Sequence, residues 1–227
     1  MHLFIYIFLA VTLAATSSLS HAISIGTMNA TMEADEDFLT RTVVNNSTTT
    51  KVYEVSLVKV SNPTASGTTI SMPAGELLYT PKRFTLHPNK RQHVKFYYKG
   101  ATDSQERYYR AIFTESPTAQ SDEYVRSPLN GALEMNVELQ SILVARPRKS
   151  MFDYVIDPAS GTISNTGNTY FEFMVKEGCD QADDEADSKY LLPGDIWQNA
   201  KISQKGNQKF IVYQSKFIPV GEDCWPK

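Results

Sequence analysis

Apolar and polar residues alternate along much of the chain with a period of two, most clearly at residues 133–140. The apolar positions of this run are Leu133, Met135, Val137 and Leu139. Such alternation gives a β-strand one apolar and one polar face. The run continues through residues 141–145, which are apolar on both sides, so the predicted strand exceeds the usual five or six residues. Its first half is expected either to cover the core of its own domain or to project beyond the sheet.

Other segments have the same character. Residues 52–60, 94–98 and 108–113 mix β-branched and aromatic residues with polar ones, and turn-forming residues follow the second of these runs. No window of about 12 residues or more has the apolar face of a helix. Short strands at this spacing are typical of a sandwich or barrel, so the sequence predicts an all-β protein.

Residues 146–149, which read Arg-Pro-Arg-Lys, interrupt the long strand. Proline cannot donate to a β-ladder and the flanking charges oppose burial, so a domain boundary is predicted here. The predicted organisation is a larger domain at 23–146 and a smaller strand-rich domain at 147–227. The acidic residues within 180–187 lack the spacing and glycine of an EF-hand, so they predict a solvated loop.

The first 22 residues are predicted to be a signal peptide. Residues 3–15 are apolar but too short to span a bilayer, and Ser20 and Ala22 supply the small residues of a cleavage site after Ala22. Export is therefore expected, and no later segment is long and apolar enough for membrane insertion. With 22 Lys+Arg against 25 Asp+Glu, the chain carries a net charge of −3 and lacks the basic excess of a nucleic-acid-binding protein.

The two cysteines, Cys179 and Cys224, are not a C-x-x-C pair. In an oxidising compartment they favour a single disulfide, and two buried free thiols are the alternative. Beyond the signal peptide the chain has two histidines, His87 and His93, too few for a zinc site without further ligands. Nucleophile-elbow, phosphate-loop and metalloprotease motifs are absent, so the sequence predicts a non-enzyme with no metal or cofactor.

Seven short segments, taken in order, resemble the periplasmic chaperones of chaperone–usher pili, the PapD-like family, and are most similar to its alternate Ecp (common pilus) branch. They are ISM (70–72) with ELLYTP (76–81), FYYKG (96–100), ERYYR (106–110), SILV (141–144) with PR (147–148), ISNTGN (163–168), YLLPG (190–194) and KFIPV (216–220).

This resemblance implies two immunoglobulin-like β-sandwich domains set at an angle. It also implies that the last strand of the first domain, G1, is lent to a pilin subunit that lacks one strand of its own fold. The G1 positions at the family spacing are Leu133, Met135, Val137 and Leu139. Main-chain pairing with the added strand gives affinity, and its alternate side chains fill the open groove of the subunit. The implied partners are pilin subunits, a tip adhesin, or both, and an outer-membrane usher.

The resemblance also raises the question of how the carboxylate at the end of the pilin chain is held. Better-known branches use a basic residue near the start of the chain and another on G1, where this sequence has Ile142. Arg110 is the preferred replacement because a guanidinium pairs with a carboxylate in a bidentate manner, and Arg41 and Arg148 are weaker candidates. The alternative for Arg110 is an ordinary structural ion pair.

Lys95 and Glu106 resemble the buried interdomain charge pair of the family, which fixes the angle between the domains. The function so implied is a periplasmic chaperone that folds, caps and delivers fimbrial subunits. A fimbrial subunit or adhesin of immunoglobulin-like fold is the alternative, and a secreted hydrolase is the third class. Self-association through the exposed edge of G1 is a further expectation.

Overall fold

The structure is a computed structural model that describes residues 23–118 and 136–225. The predicted signal peptide, residues 1–22, and two predicted G1 positions, Leu133 and Met135, lie outside these ranges. The strands of the N-terminal unit are β1 (Asn29–Met32), β2 (Phe38–Val44), β3 (Lys51–Val60), β4 (Thr69–Ile70), β5 (Leu77–Thr80), β6 (Arg83–Leu86), β7 (Arg91–Tyr98), β8 (Arg107–Pro117) and β9 (Val137–Ala145).

The C-terminal unit continues with shorter elements. Its strands are β10 (Tyr154–Asp157), β11 (Thr162–Asn165), β12 (Phe171–Val175), β13 (Asp187–Leu191), β14 (Ile196–Gln198), β15 (Lys209–Tyr213) and β16 (Lys216–Pro219). A 3-10 turn covers Asp183–Glu185, and a four-residue helix, α1, covers Ala200–Ser203. Within the described residues these are the two helical elements, so the structure is nearly all β, as predicted.

Two sheets form the sandwich of the N-terminal unit. One has the order β1-β9-β8-β3-β4, with β6 also paired to β3, and the other has the order β2-β7-β5. The inward positions follow the period-two pattern: on β7, Val94, Phe96 and Tyr98 are buried while Lys95 and Tyr97 are exposed. The core between the sheets includes Tyr53, Phe96, Tyr109 and Phe113, each fully buried.

The C-terminal unit has its own pair of sheets and its own core. The sheet β10-β11-β14 faces the sheet β13-β12-β15-β16 across Ile163, Phe171, Phe173 and Ile211. The predicted disulfide between Cys179 and Cys224 is confirmed, with the two Cα atoms 5.3 Å apart. It ties the chain after β16 to the segment after β12.

The acidic stretch is only partly the solvated loop that was predicted. Asp183 forms an ion pair with the buried Lys176 at 3.0 Å, and Asp187, the first residue of β13, forms one with Lys201 at 3.2 Å. Hydrogen bonds from Asn199 and Lys201 lower the pKa of Asp187. These carboxylates therefore neutralise lysines of the C-terminal unit.

Candidate functional site

Strand β9 is covered on one edge along its whole length and on the other edge along only part of it. It pairs antiparallel with β8 from Val137 to Ala145, whereas β1 pairs with it, in parallel, only from Ile142 to Ala145. Among the described residues no strand pairs with the remaining edge of residues 137–141. This half of β9 therefore presents unpaired main-chain groups at the side of the sheet.

The side chains of this open half alternate as the sequence predicts. Glu138 and Gln140 are exposed, and Val137 and Leu139 point inward, where they pack against the N-terminal core while staying partly accessible. In the free chain these two residues thus contribute to their own core, as one of the two initial interpretations held. Their incomplete burial leaves apolar surface next to the open edge.

The outer face of the larger N-terminal sheet meets the C-terminal unit at a small apolar seam. Val60, Tyr108 and Val144 pack there with Tyr170 and Leu192 from the C-terminal unit. A cavity of about 220 Å³ opens beside this seam. Its lining comprises Asn29, Thr31, Pro63, Thr64, Tyr108, Ile142, Val144, Tyr170, Tyr190 and Leu192.

Arg110, the preferred carboxylate anchor, is not among the lining residues but is a neighbour of two of them, Ile142 and Thr64. It is directly opposite Ile142 across the β8–β9 pairing, and its Nη2 donates a 3.3 Å hydrogen bond to the Thr64 carbonyl. Within the described part of the chain Arg110 forms no ion pair, so the structural ion pair considered as its alternative role is not found there. Its charge is available to an incoming anion.

Arg41 and Arg148 are more fully engaged. Arg41 is 9% exposed, lies beneath β9, and donates to the hydroxyls of Thr27 and Ser141 at 2.9 and 3.1 Å. Burial lowers the pKa of Arg41. Arg148 donates to the carbonyls of Glu33 and Ala34 and stacks over a tyrosine ring. Neither arginine lines the cavity between the two units.

The predicted Lys95–Glu106 pair is wrong. Lys95 is exposed on β7 and forms no ion pair in the described ranges, whereas the Glu106 side chain is 1% exposed and lies 3.8 Å from Arg146 Nη1. The Glu106 carboxylate also accepts hydrogen bonds from the Thr169 hydroxyl and the Tyr170 backbone N–H. The charge cluster between the units does exist, but its cation is Arg146.

The burial of Arg146 contradicts the expectation that the charged residues around the interdomain proline oppose burial. It is 3% exposed, with its guanidinium 4.3 Å from the centre of the Tyr170 ring and 4.7 Å from that of Tyr213. Its Nη1 donates to the Tyr170 carbonyl at 2.9 Å, and its Nε lies 2.9 Å from the Glu33 carboxylate. Stacking, hydrogen bonds and two carboxylates together offset the cost of burying the cation.

The two histidines considered as possible zinc ligands both have hydroxyl partners. His87 and His93 form hydrogen bonds with Thr50 and Thr42, respectively, each at 3.0 Å. Residues 23–118 and 136–225 contain no group of three or more His, Cys, Asp or Glu side chains suited to a metal ion. In the same ranges no helix has the length and apolarity needed to cross a membrane.

Comparison with known proteins identifies the family. Residues 22–150 match the family described as "Pili and flagellar-assembly chaperone, PapD N-terminal domain". The chain belongs to the PapD family. Among curated relatives of this PapD-family chain, the probable fimbrial chaperone EcpE of Escherichia coli O157:H7 is 37% identical over 208 residues, which cover 91% of this chain and 87% of the relative. The probable fimbrial chaperone EcpB of the same organism is 30% identical over 209 residues, covering 88% and 92%.

Solved structures agree with the fold of this PapD-family chaperone. The class 5 fimbriae chaperone CfaA has a TM-score of 0.54 at 16% identity, with 88% of this chain and 93% of that chain covered. The Salmonella enterica SafA pilin–SafB chaperone complex gives a chain with a TM-score of 0.54 at 12% identity, covering 90% and 96%. The family and the fold of two immunoglobulin-like β-sandwiches, both expected from the sequence, are confirmed. Family membership also favours the fimbrial chaperone over the fimbrial subunit or adhesin.

Proposed function

We propose that this protein is a periplasmic chaperone that caps fimbrial subunits by lending them strand β9, and that it delivers them to an outer-membrane usher. The observation that carries the proposal is the half-covered β9. Residues 137–141 combine an open edge with two inward, partly accessible apolar side chains. A subunit with a missing strand has the complementary defect, an unpaired edge and an uncovered apolar groove.

The size of the apolar contribution fits a releasable cap. Fully burying a side chain such as Val137 or Leu139 contributes roughly 1.5–3 kcal/mol. Part of this free energy is already gained in the free chaperone, and binding also orders side chains, so the net gain is smaller. Leu133 and Met135 continue the same alternation in the sequence and are assigned the same role.

Co-expression with a fimbrial subunit tests the cap. Val137→Asp with Leu139→Asp is expected to abolish recovery of the chaperone–subunit complex, because two carboxylates enter the apolar groove. Asn136→Asp with Gln140→Asp is the matched control, since it adds the same charges to exposed positions of the same segment. Equal recovery of the complex with both double variants contradicts capping by β9.

Hydrogen exchange on the unmodified chain gives a second test, which does not depend on the stability of a variant. Amide protons of residues 137–141 that point away from β8 are expected to exchange slowly in the complex with the subunit. In the free chaperone they are expected to exchange quickly, because their edge is open. Unchanged exchange of this segment on subunit binding argues against strand pairing.

Arg110 is proposed to hold the carboxylate at the C-terminal end of the subunit. Its guanidinium is free of ion pairs within the described residues and donates to the carbonyl of Thr64, a residue that lines the cavity between the units. A peptide carrying the C-terminal strand of the subunit is expected to bind Arg110→Ala at least about tenfold more weakly than the wild type. Amidation of the peptide should weaken binding to the wild type but not to the variant. Arg91→Ala, at an exposed strand end, is the control, and unchanged peptide binding by Arg110→Ala rejects this assignment.

The periplasmic location follows from the predicted signal peptide and has its own test. The secreted form is expected in the periplasmic fraction with Ile23 as its first residue. Recovery of the unprocessed chain from the cytoplasm contradicts this location.

Delivery of the subunit to the usher is tested by adding usher-containing membranes together with the donor strand of a second subunit. We expect the usher to accelerate release of the chaperone.

A further inference from the structure

Arg41 is a buried cation at an inward position of the N-terminal sandwich. The inward side chains of β2 are Leu39, Arg41 and Val43, and Arg41 is the charged one among them. Among residues 23–118 and 136–225 it forms no ion pair, and its Nε has no hydrogen-bond partner. A buried charge without a counter-ion destabilises a fold, so an arginine at this position needs a reason other than stability.

The guanidinium of Arg41 joins two segments of the opposite sheet. Its Nη1 donates to the Thr27 hydroxyl at 2.9 Å, and its Nη2 donates to the Ser141 hydroxyl at 3.1 Å. Thr27 lies two residues before β1, and Ser141 lies on β9, whereas Arg41 itself belongs to the sheet β2-β7-β5. One side chain therefore holds the start of β1 and the middle of β9 together from across the sandwich.

Both contacts lie at the point where the cover of β9 begins. The Ile142 N–H donates to the Met28 carbonyl at 2.9 Å, and the pairing with β1 continues from there to the end of β9. Thr27 directly precedes Met28, and Ser141 directly precedes Ile142. Arg41 thus binds the last uncovered residue of β9 and the residue just outside the covering segment.

The inward side chains of β9 change at the same point. Before Ser141, Val137 and Leu139 are partly accessible, whereas after it Leu143 and Ala145 are buried. The open segment and the covered segment share one edge, because β8 occupies the other edge of both. A subunit strand that pairs along the open segment is therefore in line with β1 and meets it at Ser141.

We infer that Arg41 is a positioning residue that sets where the pairing of β9 with the subunit strand ends. The inference rests on the proposed function and extends it, because it names the residue that limits how much of β9 is lent. By binding Thr27 and Ser141 together, the guanidinium keeps β1 paired from Ile142 onward and leaves residues 137–141 to the subunit. This role differs from that of a carboxylate anchor, which the sequence allowed for Arg41.

Hydrogen exchange of single amides in the full mature chain, followed by NMR, tests this role. Arg41→Met keeps an unbranched side chain and removes the guanidinium. The amide proton of Ile142 is expected to exchange at least about tenfold faster in this variant, because the start of β1 loosens. The amide protons of Phe96 and Phe113, on the central strands β7 and β8, report global unfolding and should change much less. A purely structural loss would accelerate all three amides alike.

Further variants trace the effect to the contacts of the guanidinium. Ser141→Ala removes one acceptor and should accelerate exchange of the Ile142 amide about threefold, but it should add nothing in the Arg41→Met background. Arg41→Lys keeps a cation and is expected to restore part of the protection. Arg91→Met makes the same substitution at an exposed strand end and is the matched control, expected to leave the Ile142 amide unchanged. Should Arg41→Met fail to fold, Ser141→Ala carries the test, and unchanged exchange in that variant overturns the inference.

The complex with a subunit tests the limit itself. The Gln140 N–H points to the same edge of β9 as the Ile142 N–H, because the direction of main-chain groups alternates along a strand. In the wild type, subunit binding is expected to slow exchange of the Gln140 amide and to leave the Ile142 amide, already protected by β1, unchanged. In Arg41→Met, subunit binding should slow exchange of both amides, because the subunit strand then pairs beyond Ser141.

The outcomes separate this inference from the proposed function. Unchanged exchange of the Ile142 amide in Arg41→Met, or an acceleration that Phe96 and Phe113 share, overturns the role of Arg41 even if capping by β9 is supported. An Ile142 amide that stays fast in the complex of Arg41→Met also overturns it, because the subunit strand then ends at Ser141 without the guanidinium. Unchanged exchange of the Gln140 amide on subunit binding contradicts capping itself, which is a different result from either of these.

Discussion

The Thr169 hydroxyl donates a hydrogen bond to Oε2 of Glu106 at 2.7 Å, and this bond joins the C-terminal unit to the N-terminal one. The same carboxylate accepts the backbone N–H of Tyr170 at 3.1 Å and faces Arg146. Burial raises the pKa of Glu106, and these partners oppose that rise. One side chain thus serves as the acceptor for several groups at the junction.

Glu106→Ala is therefore expected to destabilise the chain by about 3 kcal/mol, because it leaves Arg146 and the Thr169 hydroxyl buried with fewer partners. Urea unfolding measures the change. Glu177→Ala, which removes an exposed carboxylate, is the control and should be nearly neutral. A loss equal to that of the control would show that the junction does not depend on Glu106.

Arg146→Lys tests the stacked guanidinium. Lysine keeps the charge but loses the planar group between Tyr170 and Tyr213 and the fork of donors, so a loss of about 2 kcal/mol is expected. The free energy of unfolding is compared with that of Arg91→Lys, the same exchange at an exposed position. Equal stability of these two variants would mean that charge alone suffices at position 146.

The disulfide is expected to stabilise the C-terminal unit. Cys179→Ser with Cys224→Ser should lower its free energy of unfolding by about 2–4 kcal/mol, because the bridge closes a long loop in the unfolded chain. Beside the bridge, Lys209 and Asp223 form an ion pair at 3.6 Å, and Trp225 packs on Phe210. Because the bridge holds the residues after β16 in place, these two contacts are expected to loosen when it is removed. Calorimetry with and without reductant measures the effect. Reductant should shift the melting of the wild type but not that of the double variant.

Asp103 provides a pH test. Its two carboxylate oxygens accept hydrogen bonds from Arg107 at 2.8 and 2.6 Å, and these bonds lower the pKa of Asp103 to about 2. Because the folded-state pKa is below the ordinary value, the stabilisation is complete above about pH 4 and is lost as the pH falls towards 2.

Asp103→Asn should therefore cost about 1 kcal/mol near pH 6, a figure reduced for the solvent exposure of the pair. The difference from the wild type should shrink between pH 4 and pH 2. Urea unfolding at several pH values measures both effects. A difference that does not change with pH would exclude ionised Asp103 as its cause.

The strands could be predicted because their signal is local. The predicted segments 52–60 and 94–98 form most of β3 and β7, and buried and exposed positions alternate at residues 53–56 and 94–98. The disulfide was also predictable, since the chain has only two cysteines.

The partner of Glu106 could not be found in this way. Its partners come from residues that directly follow β9, namely Arg146, and from residues that directly precede β12, namely Thr169 and Tyr170, and no local pattern brings these segments together. The burial of Arg146 could not be predicted for a related reason. Its charge predicts exposure, whereas the rings of Tyr170 and Tyr213 and the acceptors that enclose it belong to distant parts of the chain. The cavity beside Tyr108 is likewise formed by the packing of the two units, not by any motif.

Strand β9 runs without a break from its open edge to the cavity between the two units. From Val137 on the open edge to Ile142 at the cavity is five residues, or about 17 Å of extended strand. Because a one-residue slip turns every side chain of a strand to the opposite face, the antiparallel pairing of β9 with β8 fixes both the spacing and the facing of these two residues. The open edge and the junction with the C-terminal unit are therefore held in one fixed register by a single strand.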